Sequence, residues 1–262
     1  MQKGLCSESE AIRIMVRVSE ITKRYGSKTV VDDVSLEFQS AQTYALIGPS
    51  GCGKSTLLRI ILGLIPADSG TVWLHQKPLS EQPLRRIRQG FGYVIQSGGL
   101  FPHLTCRENA TLPANYRRWP KDQIADRLDT LTELTDLPAD TLDRYPAQLS
   151  GGQRQRVSLI RALMLDPDML LLDEPLAALD PMIRNQLQTE LKAIFQELKK
   201  TVILVTHDLH EAAFFADKII LMQKGKVAQT GTIRQLQQEP ASPFVTNFIA
   251  AQRGHLFVGH GV

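Results

Sequence analysis

The pattern of apolar positions predicts short buried strands that alternate with helices. Four apolar runs have strand length, at residues 44–47, 169–172, 202–205 and 218–222. Residues 183–198 instead place apolar side chains at helical spacing, which predicts an amphipathic helix. Another helix is expected to begin near Lys54. Because strands and helices alternate, the sequence predicts a largely parallel sheet covered on both faces.

Two regions depart from that pattern. Alternating or short apolar runs predict further strands at residues 12–18, 34–38, 71–74 and 92–95. Residues 103–148 carry no strand-like run, and a polar, Arg-rich helix is expected over residues 151–165. We therefore expect a helical sub-domain at about 97–165, inserted in a single domain of residues 11–242. Residues 1–10 are interpreted as a leader, and residues 243–262 as a short C-terminal tail without a regulatory domain.

Composition excludes several classes of protein. The net charge is only +3 and no long Lys/Arg run occurs, so no nucleic-acid partner is expected. The three cysteines are widely spaced, which favours a reducing cytosol. No apolar run approaches the roughly 20 residues of a membrane-spanning helix, and the N-terminus has no secretory signal pattern. A role at a membrane would therefore require docking onto another chain.

Residues 48–55 carry a phosphate-binding loop. Gly-Pro-Ser-Gly-Cys-Gly-Lys-Ser fits the pattern G-x-x-x-x-G-K-[ST], between a predicted strand and a predicted helix. Glycines allow backbone N–H groups to point at phosphate oxygens, and the helix N-terminus favours an anion. We expect Lys54 to reach the β- and γ-phosphates and Ser55 to bind Mg²⁺. This loop alone predicts nucleotide binding, which kinases, GTPases, helicases and transporters share.

Polar residues that follow three other predicted strands complete a candidate catalytic site. Asp173 and Glu174 follow a buried strand, and they suit Mg²⁺ coordination and general-base catalysis respectively. Gln96 and His207 follow two further strands. Ligands of parallel sheets bind at the carboxyl ends of strands, so these residues are expected to surround one γ-phosphate. His207 would bind that phosphate, and Gln96 would contact Mg²⁺ or the attacking water.

Residues 149–153, Leu-Ser-Gly-Gly-Gln, identify the class. They resemble the signature sequence of ABC ATPases, and the order and spacing of the other motifs also match that family. The resemblance covers about residues 12–240. It implies an α/β fold with a P-loop NTPase core and mostly parallel sheet, an antiparallel β sub-domain and an inserted helical sub-domain. It also implies that ATP and Mg²⁺ are bound and that ATP is hydrolysed.

The family resemblance implies roles for individual residues. Tyr25 would stack on adenine, and His207 would be the switch histidine. Gln96 would link the nucleotide to the helical sub-domain. Residues 177–180 resemble the loop that crosses the dimer interface, with Ala177 in place of the usual Ser and with Asp180 retained. The nucleotide-binding residues would be Gly48, Pro49, Ser50, Gly51, Cys52, Gly53, Lys54, Ser55 and Thr56 of one copy and Ser150, Gly151, Gly152, Gln153 and Asp180 of the other.

A two-copy arrangement also has a physical basis. The predicted helix that begins near Gly151 offers a second anion site, although the same chain already supplies one at residues 48–54. Two anion sites for one nucleotide are reasonable if they come from opposite copies of a two-fold dimer. ATP binding would then favour the closed dimer, and hydrolysis would release it.

Residues 91–105 carry a narrower resemblance. They are similar to the corresponding segment of importer ATPases for glycine betaine, choline and related osmoprotectants. The family also implies that residues 97–108 receive a coupling helix of a transmembrane permease, although Leu100, Phe101 and Leu104 could instead pack internally. The permease would hold the chain at the cytoplasmic face of the inner (plasma) membrane, with a substrate-binding protein as an indirect partner.

Other functions remain as alternatives. The ATPase of another importer, for amino acids or other small solutes, fits the same motifs, and an exporter or a non-transport ABC ATPase fits less well. Repair ATPases of this class carry a coiled-coil or zinc insertion between phosphate loop and signature, which residues 56–149 lack. Translation members carry two cassettes in one chain. A nucleotide kinase has no use for residues 149–153.

Overall fold

The structure, a computed structural model, describes residues 14–96, 98–177 and 179–253. Within these residues two sheets form. The larger sheet has six strands, which are β3 (Thr43–Ile47), β6 (Phe91–Val94), β7 (Met169–Asp173), β8 (Thr201–Val205), β9 (Lys218–Gln223) and β10 (Lys226–Gly231). The smaller sheet consists of β1 (Ile14–Tyr25), β2 (Lys28–Gln39), β4 (Ser69–Leu74) and β5 (Lys77–Pro78).

The larger sheet has the order β10-β9-β3-β8-β7-β6. Its pairs are parallel except for the pair of β9 with β10. All residues of β3, β7 and β8 are buried, as expected for strands covered on both faces. The smaller sheet, in the order β2-β1-β4-β5, is antiparallel throughout. The predicted combination of a mostly parallel core and an antiparallel sub-domain is confirmed.

The described helices surround these sheets. They are α1 (Lys54–Ile61), α2 (Leu84–Ile87), α3 (Cys106–Tyr116), α4 (Lys121–Leu134), α5 (Gly151–Leu163), α6 (Pro181–Leu198), α7 (Leu209–Phe215), α8 (Ile233–Gln238) and α9 (Pro243–Arg253). Short 3-10 turns occur at Leu79–Glu81, Ala139–Asp143 and Pro146–Gln148. In the part of the chain that the structure describes, no helix combines the length and apolar character that crossing a bilayer requires.

Helices α3, α4 and α5 form the helical part of the molecule. Their buried faces share one apolar cluster with β7, β8 and α6. Helix α5 is also joined to α6 by Arg156, whose guanidinium donates to both carboxylate oxygens of Glu190 at 2.8 and 2.7 Å. Both bonds come from one guanidinium nitrogen, Nη2, and hydrogen bonds between ionised groups are stronger than those between neutral groups. The start of α5 is therefore held firmly against the core.

The C-terminal region differs from the tail that its sequence predicted. Residues 243–253 form helix α9, and its Val245 and Ile249 are buried with Leu209 and Ala212 of α7. Strand β10 and helix α8, which precede α9, were also not predicted. The cause is that these three elements are short, and their apolar positions gain partners only through the fold. Residues 254–262 and the predicted leader 1–10 lie outside the described residues.

Replacement of Ile249 tests whether α9 is part of the folded domain. Ile249 is only 4% exposed, so Ile249→Ala should lower the free energy of unfolding by about 2–5 kcal/mol, the usual cost of truncating a buried isoleucine. Asn247→Ala, on the exposed side of the same helix, should change it by less than about 0.5 kcal/mol. Denaturant titration of both variants measures the difference. Equal stabilities would mean that α9 does not pack on the core.

Candidate functional site

Parallel pairing brings four strand ends to one edge of the larger sheet. Asp173 of β7 lies beside Val205 of β8, and Leu46 of β3 lies on the other side of Val205. Strand β6 ends in register with β7, with Val94 opposite Leu172. The segments that follow these four strands therefore leave the sheet at the same edge, as the sequence predicted for Lys54, Gln96, Asp173 and His207.

The phosphate loop depends on close approaches that only glycine permits. A Cβ atom on Gly48 would lie 2.3 Å from the backbone oxygen of Met222 in β9. A Cβ on Gly53 would lie 2.4 Å from the backbone oxygen of Val30 in β2. Both glycines also have positive φ values, of 144° and 108°. The loop is thus wedged between the two sheets, while its Pro49, Ser50 and Gly51 are exposed.

Lys54 begins helix α1 and is only 6% exposed. Its Nζ donates hydrogen bonds to the backbone oxygens of Gly48 at 2.8 Å and Pro49 at 3.2 Å. A buried ammonium group needs such partners because burial removes its water. Phosphate oxygens at the loop could replace these carbonyls and offer the amine a negative charge.

Ser55 and Asp173 present two oxygen atoms side by side. The Ser55 hydroxyl donates to Asp173 Oδ1 at 3.0 Å. Burial raises the pKa of the Asp173 carboxyl above its usual value, and the Ser55 hydrogen bond partly opposes that rise. A hydroxyl and a partly desolvated carboxylate are hard oxygen ligands, and such a pair suits a divalent cation such as Mg²⁺.

Glu174 is the residue on which the polar contacts converge. Its backbone has φ 48°, in the left-handed region, and its N–H donates to the oxygen of Val205 at 2.8 Å. One carboxylate oxygen, Oε2, accepts a hydrogen bond from Gln96 Nε2 at 3.0 Å and lies 3.5 Å from His207 Nδ1. Side chains from the ends of β6, β7 and β8 therefore meet at one oxygen atom, and strained backbone is common at such functional positions.

The predicted signature forms the start of helix α5. Ser150 caps the helix, since its hydroxyl accepts the Gln153 N–H at 3.2 Å and Gln153 Oε1 accepts the Ser150 N–H at 3.0 Å. A Cβ on Gly151 would lie 2.7 Å from the Leu179 side chain. A larger residue would force the tip of the Leu179 side chain to shift, so Gly151 allows close packing where α5 meets the segment before α6. Gly152 likewise faces Ile183 of α6.

Asp180 and Tyr25 lie apart from the strand-end cluster. Asp180 is exposed and caps α6 by accepting the Ile183 N–H at 3.1 Å. Ala178, in the predicted interface loop, lies outside the described residues. Tyr25 ends β1 with 53% of its surface exposed, and the Lys23 ammonium lies 5.6 Å from its ring centre. Its open ring has room for a flat partner, and adenine stacking stays a prediction.

The segment after Gln96 is held by residues that the motifs did not indicate. Arg161 of α5 donates to the backbone oxygens of Gly99 at 2.7 Å and Gly98 at 2.8 Å. Buried Asn109 of α3 donates to the oxygens of Phe101, Leu104 and Thr105 at 3.0–3.1 Å. The sequence signal for Asn109 is weak, because it is one polar residue among the mostly small, apolar residues on the buried face of α3. Ser97 lies outside the described residues.

Comparisons with known proteins agree with this geometry. The family model described as ABC transporter matches residues 31–177. OpuCA of Bacillus subtilis, a glycine betaine/carnitine/choline transport ATP-binding protein, is 40% identical over 91% of this chain and 63% of its own length. The glycine betaine uptake ATP-binding protein YehX of Escherichia coli is 42% identical over 89% of this chain and 76% of its own length. The chain thus spans less than two thirds of OpuCA.

The chain is also similar to an importer ATPase with another cargo and to a solved ABC cassette. The sulfate/thiosulfate import ATP-binding protein CysA of Synechococcus elongatus is 42% identical over 94% of this chain and 72% of its own length. MJ0796, a bacterial ABC transporter cassette solved as a dimer, superposes with a TM-score of 0.76 and 32% identity. The match covers 84% of this chain and 99% of that one. A dimeric post-hydrolysis state of MJ0796 with ADP and Pi matches equally well.

One assignment follows from the matches to related proteins, and it agrees with the sheet order, the phosphate loop and the signature at the start of α5. The chain belongs to the ABC transporter family, as an ATP-binding cassette.

Proposed function

We propose that this chain hydrolyses ATP to power an importer and that two copies enclose the nucleotides between them. The arrangement of Lys54, Ser55, Asp173, Gln96 and Glu174 at one sheet edge carries the proposal. The phosphate loop, the paired oxygens of Ser55 and Asp173, and the candidate base Glu174 follow strands of one sheet and support this proposal. The dimeric post-hydrolysis state of MJ0796 with ADP and Pi also supports hydrolysis.

The chemistry follows from the contacts. Glu174 accepts a proton from a water molecule whose oxygen attacks the γ-phosphorus of ATP. The bond from the γ-phosphorus to the bridging oxygen breaks, and ADP and phosphate result. Lys54, at the base of the loop, stabilises charge on the phosphate oxygens. Gln96 and His207 already meet Glu174 at Oε2, so they can orient the carboxylate, the water and the γ-phosphate together.

Ser55 and Asp173 would hold Mg²⁺. Gln96 would lie near the ion because it hydrogen-bonds Glu174, the residue after Asp173. The ion would supply positive charge to the β- and γ-phosphate oxygens. The pairing of a hydroxyl with a desolvated carboxylate supports this assignment.

A second copy supplies what the cluster lacks. The start of α5, with Ser150 and Gly151, offers N–H groups and a helix dipole to an anion. The hydrogen bonds of Ser150 with Gln153 stay within the signature. A two-fold pair would bring the signature of one copy over the phosphate loop of the other, and the dimeric state of MJ0796 supports that arrangement.

The exposed apolar surface beside Gln96 would receive the permease. Phe101 is 44% exposed and contacts His103, with 5.9 Å between the ring centres. A groove of about 450 Å³ is lined in part by Leu64 and Leu84, which are also exposed. Such apolar surface favours a protein partner. A permease bound there would place this chain at the cytoplasmic face of the membrane, with a substrate-binding protein as an indirect partner.

The cargo that fits best is an osmoprotectant such as glycine betaine or choline. Support comes from the similarity to OpuCA and YehX, whose names state these cargoes. Sulfate is the second candidate, since the sulfate/thiosulfate importer ATPase CysA is equally similar. Cargo is bound by other chains of an importer, so transport measurements decide between these candidates.

Substitution of the candidate base tests hydrolysis. Glu174→Gln should keep ATP binding and lower the hydrolysis rate by roughly 10²–10⁴-fold, because glutamine cannot accept the proton. Phosphate release measures the rate, and equilibrium dialysis with labelled ATP measures binding. Glu197→Gln, exposed on α6, serves as the matched control and should match the wild type. Near-wild-type hydrolysis by Glu174→Gln would assign the base to another residue.

Substitution of the signature serine tests the contribution of the second copy. Ser150→Arg should leave ATP binding at the phosphate loop intact and abolish hydrolysis, because the bulk would block the partner copy's site. Thr232→Arg is a close control, since Thr232 forms the same type of capping box, with Gln235, at the start of α8. Thr232→Arg should hydrolyse ATP normally. Normal turnover by Ser150→Arg would remove Ser150 from the site.

Uptake by cells tests the cargo. In cells that lack other osmoprotectant importers but carry the permease and binding protein, uptake of labelled glycine betaine or choline in hyperosmotic medium should depend on Glu174. Labelled sulfate provides the parallel arm for the second candidate. Uptake of sulfate alone that is lost in Glu174→Gln would replace the osmoprotectant assignment and leave the ATPase function intact.

A further inference from the structure

A buried carboxylate lies directly behind the loop that carries His207. Glu211 of α7 is only 5% exposed. Its Oε2 accepts a hydrogen bond from the Thr206 hydroxyl at 2.5 Å. The same hydroxyl accepts the N–H of Asp208 at 3.1 Å. The Glu211 carboxylate therefore holds Thr206 directly and Asp208 through the Thr206 hydroxyl, on the two sides of His207.

Stability alone does not account for Glu211. Burial raises the pKa of its carboxyl group above the usual value, a sign that the charged form is disfavoured there. Among the described residues its second oxygen, Oε1, has no hydrogen-bond partner. Arg184 of α6 acts on the carboxyl only through its charge. An apolar side chain of similar size would often be as stable or more stable at such a position. The carboxylate is therefore better explained by what it holds.

The C-terminal helix holds the same loop from the other side. Gln252 of α9 donates from Nε2 to the backbone oxygen of His207 at 3.1 Å. Helix α9 is anchored by Val245 and Ile249, which are buried with Leu209 and Ala212 of α7. The backbone around His207 is thus connected to α7 and α9, whose buried residues share one apolar cluster. The His207 side chain is 59% exposed and faces Glu174.

We propose that Glu211 and Gln252 are positioning residues that fix His207 relative to Glu174 and the γ-phosphate. The proposal rests on the proposed ATP hydrolysis, and neither residue touches the reacting atoms. Glu211 fixes the conformation of the turn at residues 206–208 through its hydrogen bond with Thr206. Gln252 fixes the position of the His207 carbonyl by donating a hydrogen bond to it. Helix α9 is thereby linked to the position of His207, and a displacement of α9 would move His207 relative to Glu174.

The role of Glu211 is tested with three single variants and one double variant. Glu211→Leu and Thr206→Val each remove the hydrogen bond and should lower kcat for ATP about tenfold, within the roughly 100-fold that a 1 Å misplacement can cost. The KM for ATP should stay within about twofold, since phosphate-loop binding is untouched. Glu211→Gln keeps an oxygen that accepts from Thr206 and should retain most activity. The double variant should lose no more than the worse single variant, because both act through one contact.

The role of Gln252 is tested by comparing the same substitution at two positions of α9. Gln252→Leu removes the contact with His207 and should lower kcat severalfold at unchanged KM. Asn247→Leu places the same side chain at an exposed position of α9 and should match the wild type. Thermal unfolding of each variant separates a loss of positioning from a loss of structure. Gln252 lies at the surface end of α9, so its variant remains decisive if Glu211→Leu fails to fold.

The outcomes separate the two proposals. A wild-type protein without ATP hydrolysis overturns the proposed function. An active wild type together with unchanged kcat in Glu211→Leu, Thr206→Val and Gln252→Leu overturns the positioning proposal alone. A lower kcat accompanied by a raised KM and a lower unfolding temperature in these variants would assign Glu211 and Gln252 a purely structural role. That result would also overturn the positioning proposal.

Discussion

The parallel pairing of β6, β7, β8 and β3 is the constraint on which the site depends. Register places Asp173 beside Val205 and Leu46 on the other side of Val205, so the segments after these strands emerge at one edge. Without that register, the contacts of Gln96 and His207 at Glu174 Oε2 could not form. The smaller sheet contributes by closing on Gly53, which wedges the phosphate loop in place. Chemistry at this edge is therefore a consequence of how the sheet is assembled.

The proposed function gives one chain two different anion-binding features, and a pair of copies would bring one of each kind to every nucleotide. The phosphate loop lies at the edge of the sheet, whereas Ser150 starts a helix whose neighbour is Leu179. The close packing of Gly151 on Leu179 couples the signature to the segment that leads into α6. Arg161, further along α5, holds the backbone after Gln96. Helix α5 thus connects the signature to the segment proposed to meet the permease, so movements at either end would be transmitted through one rigid element.

The local motifs were predictable from sequence because their chemistry is written in consecutive residues. Apolar runs ending at Gly48, Asp173 or Thr206 also placed the strand ends correctly, since buried parallel strands must be apolar. Glu211, Gln252 and Asn109 were not predictable, because their importance comes from contacts between separate elements. Gln252 is 45 residues from His207 along the chain. Helix α9 was missed for the same reason, since its buried apolar side chains pack in one cluster with α7, α8, β3 and β9.

The proposed function depends above all on ATP being bound between two copies of this chain. The mass in solution of the Glu174→Gln protein, measured by sedimentation equilibrium at saturating ATP and Mg²⁺ together with the amount of ATP bound, tests this. Blocked hydrolysis would hold the closed state. We expect a mass twice the 29.2 kDa of one chain, with one ATP per chain, and a single-chain mass when nucleotide is withheld. A protein that binds ATP fully and remains at the mass of one chain would show that ATP is not enclosed between two copies.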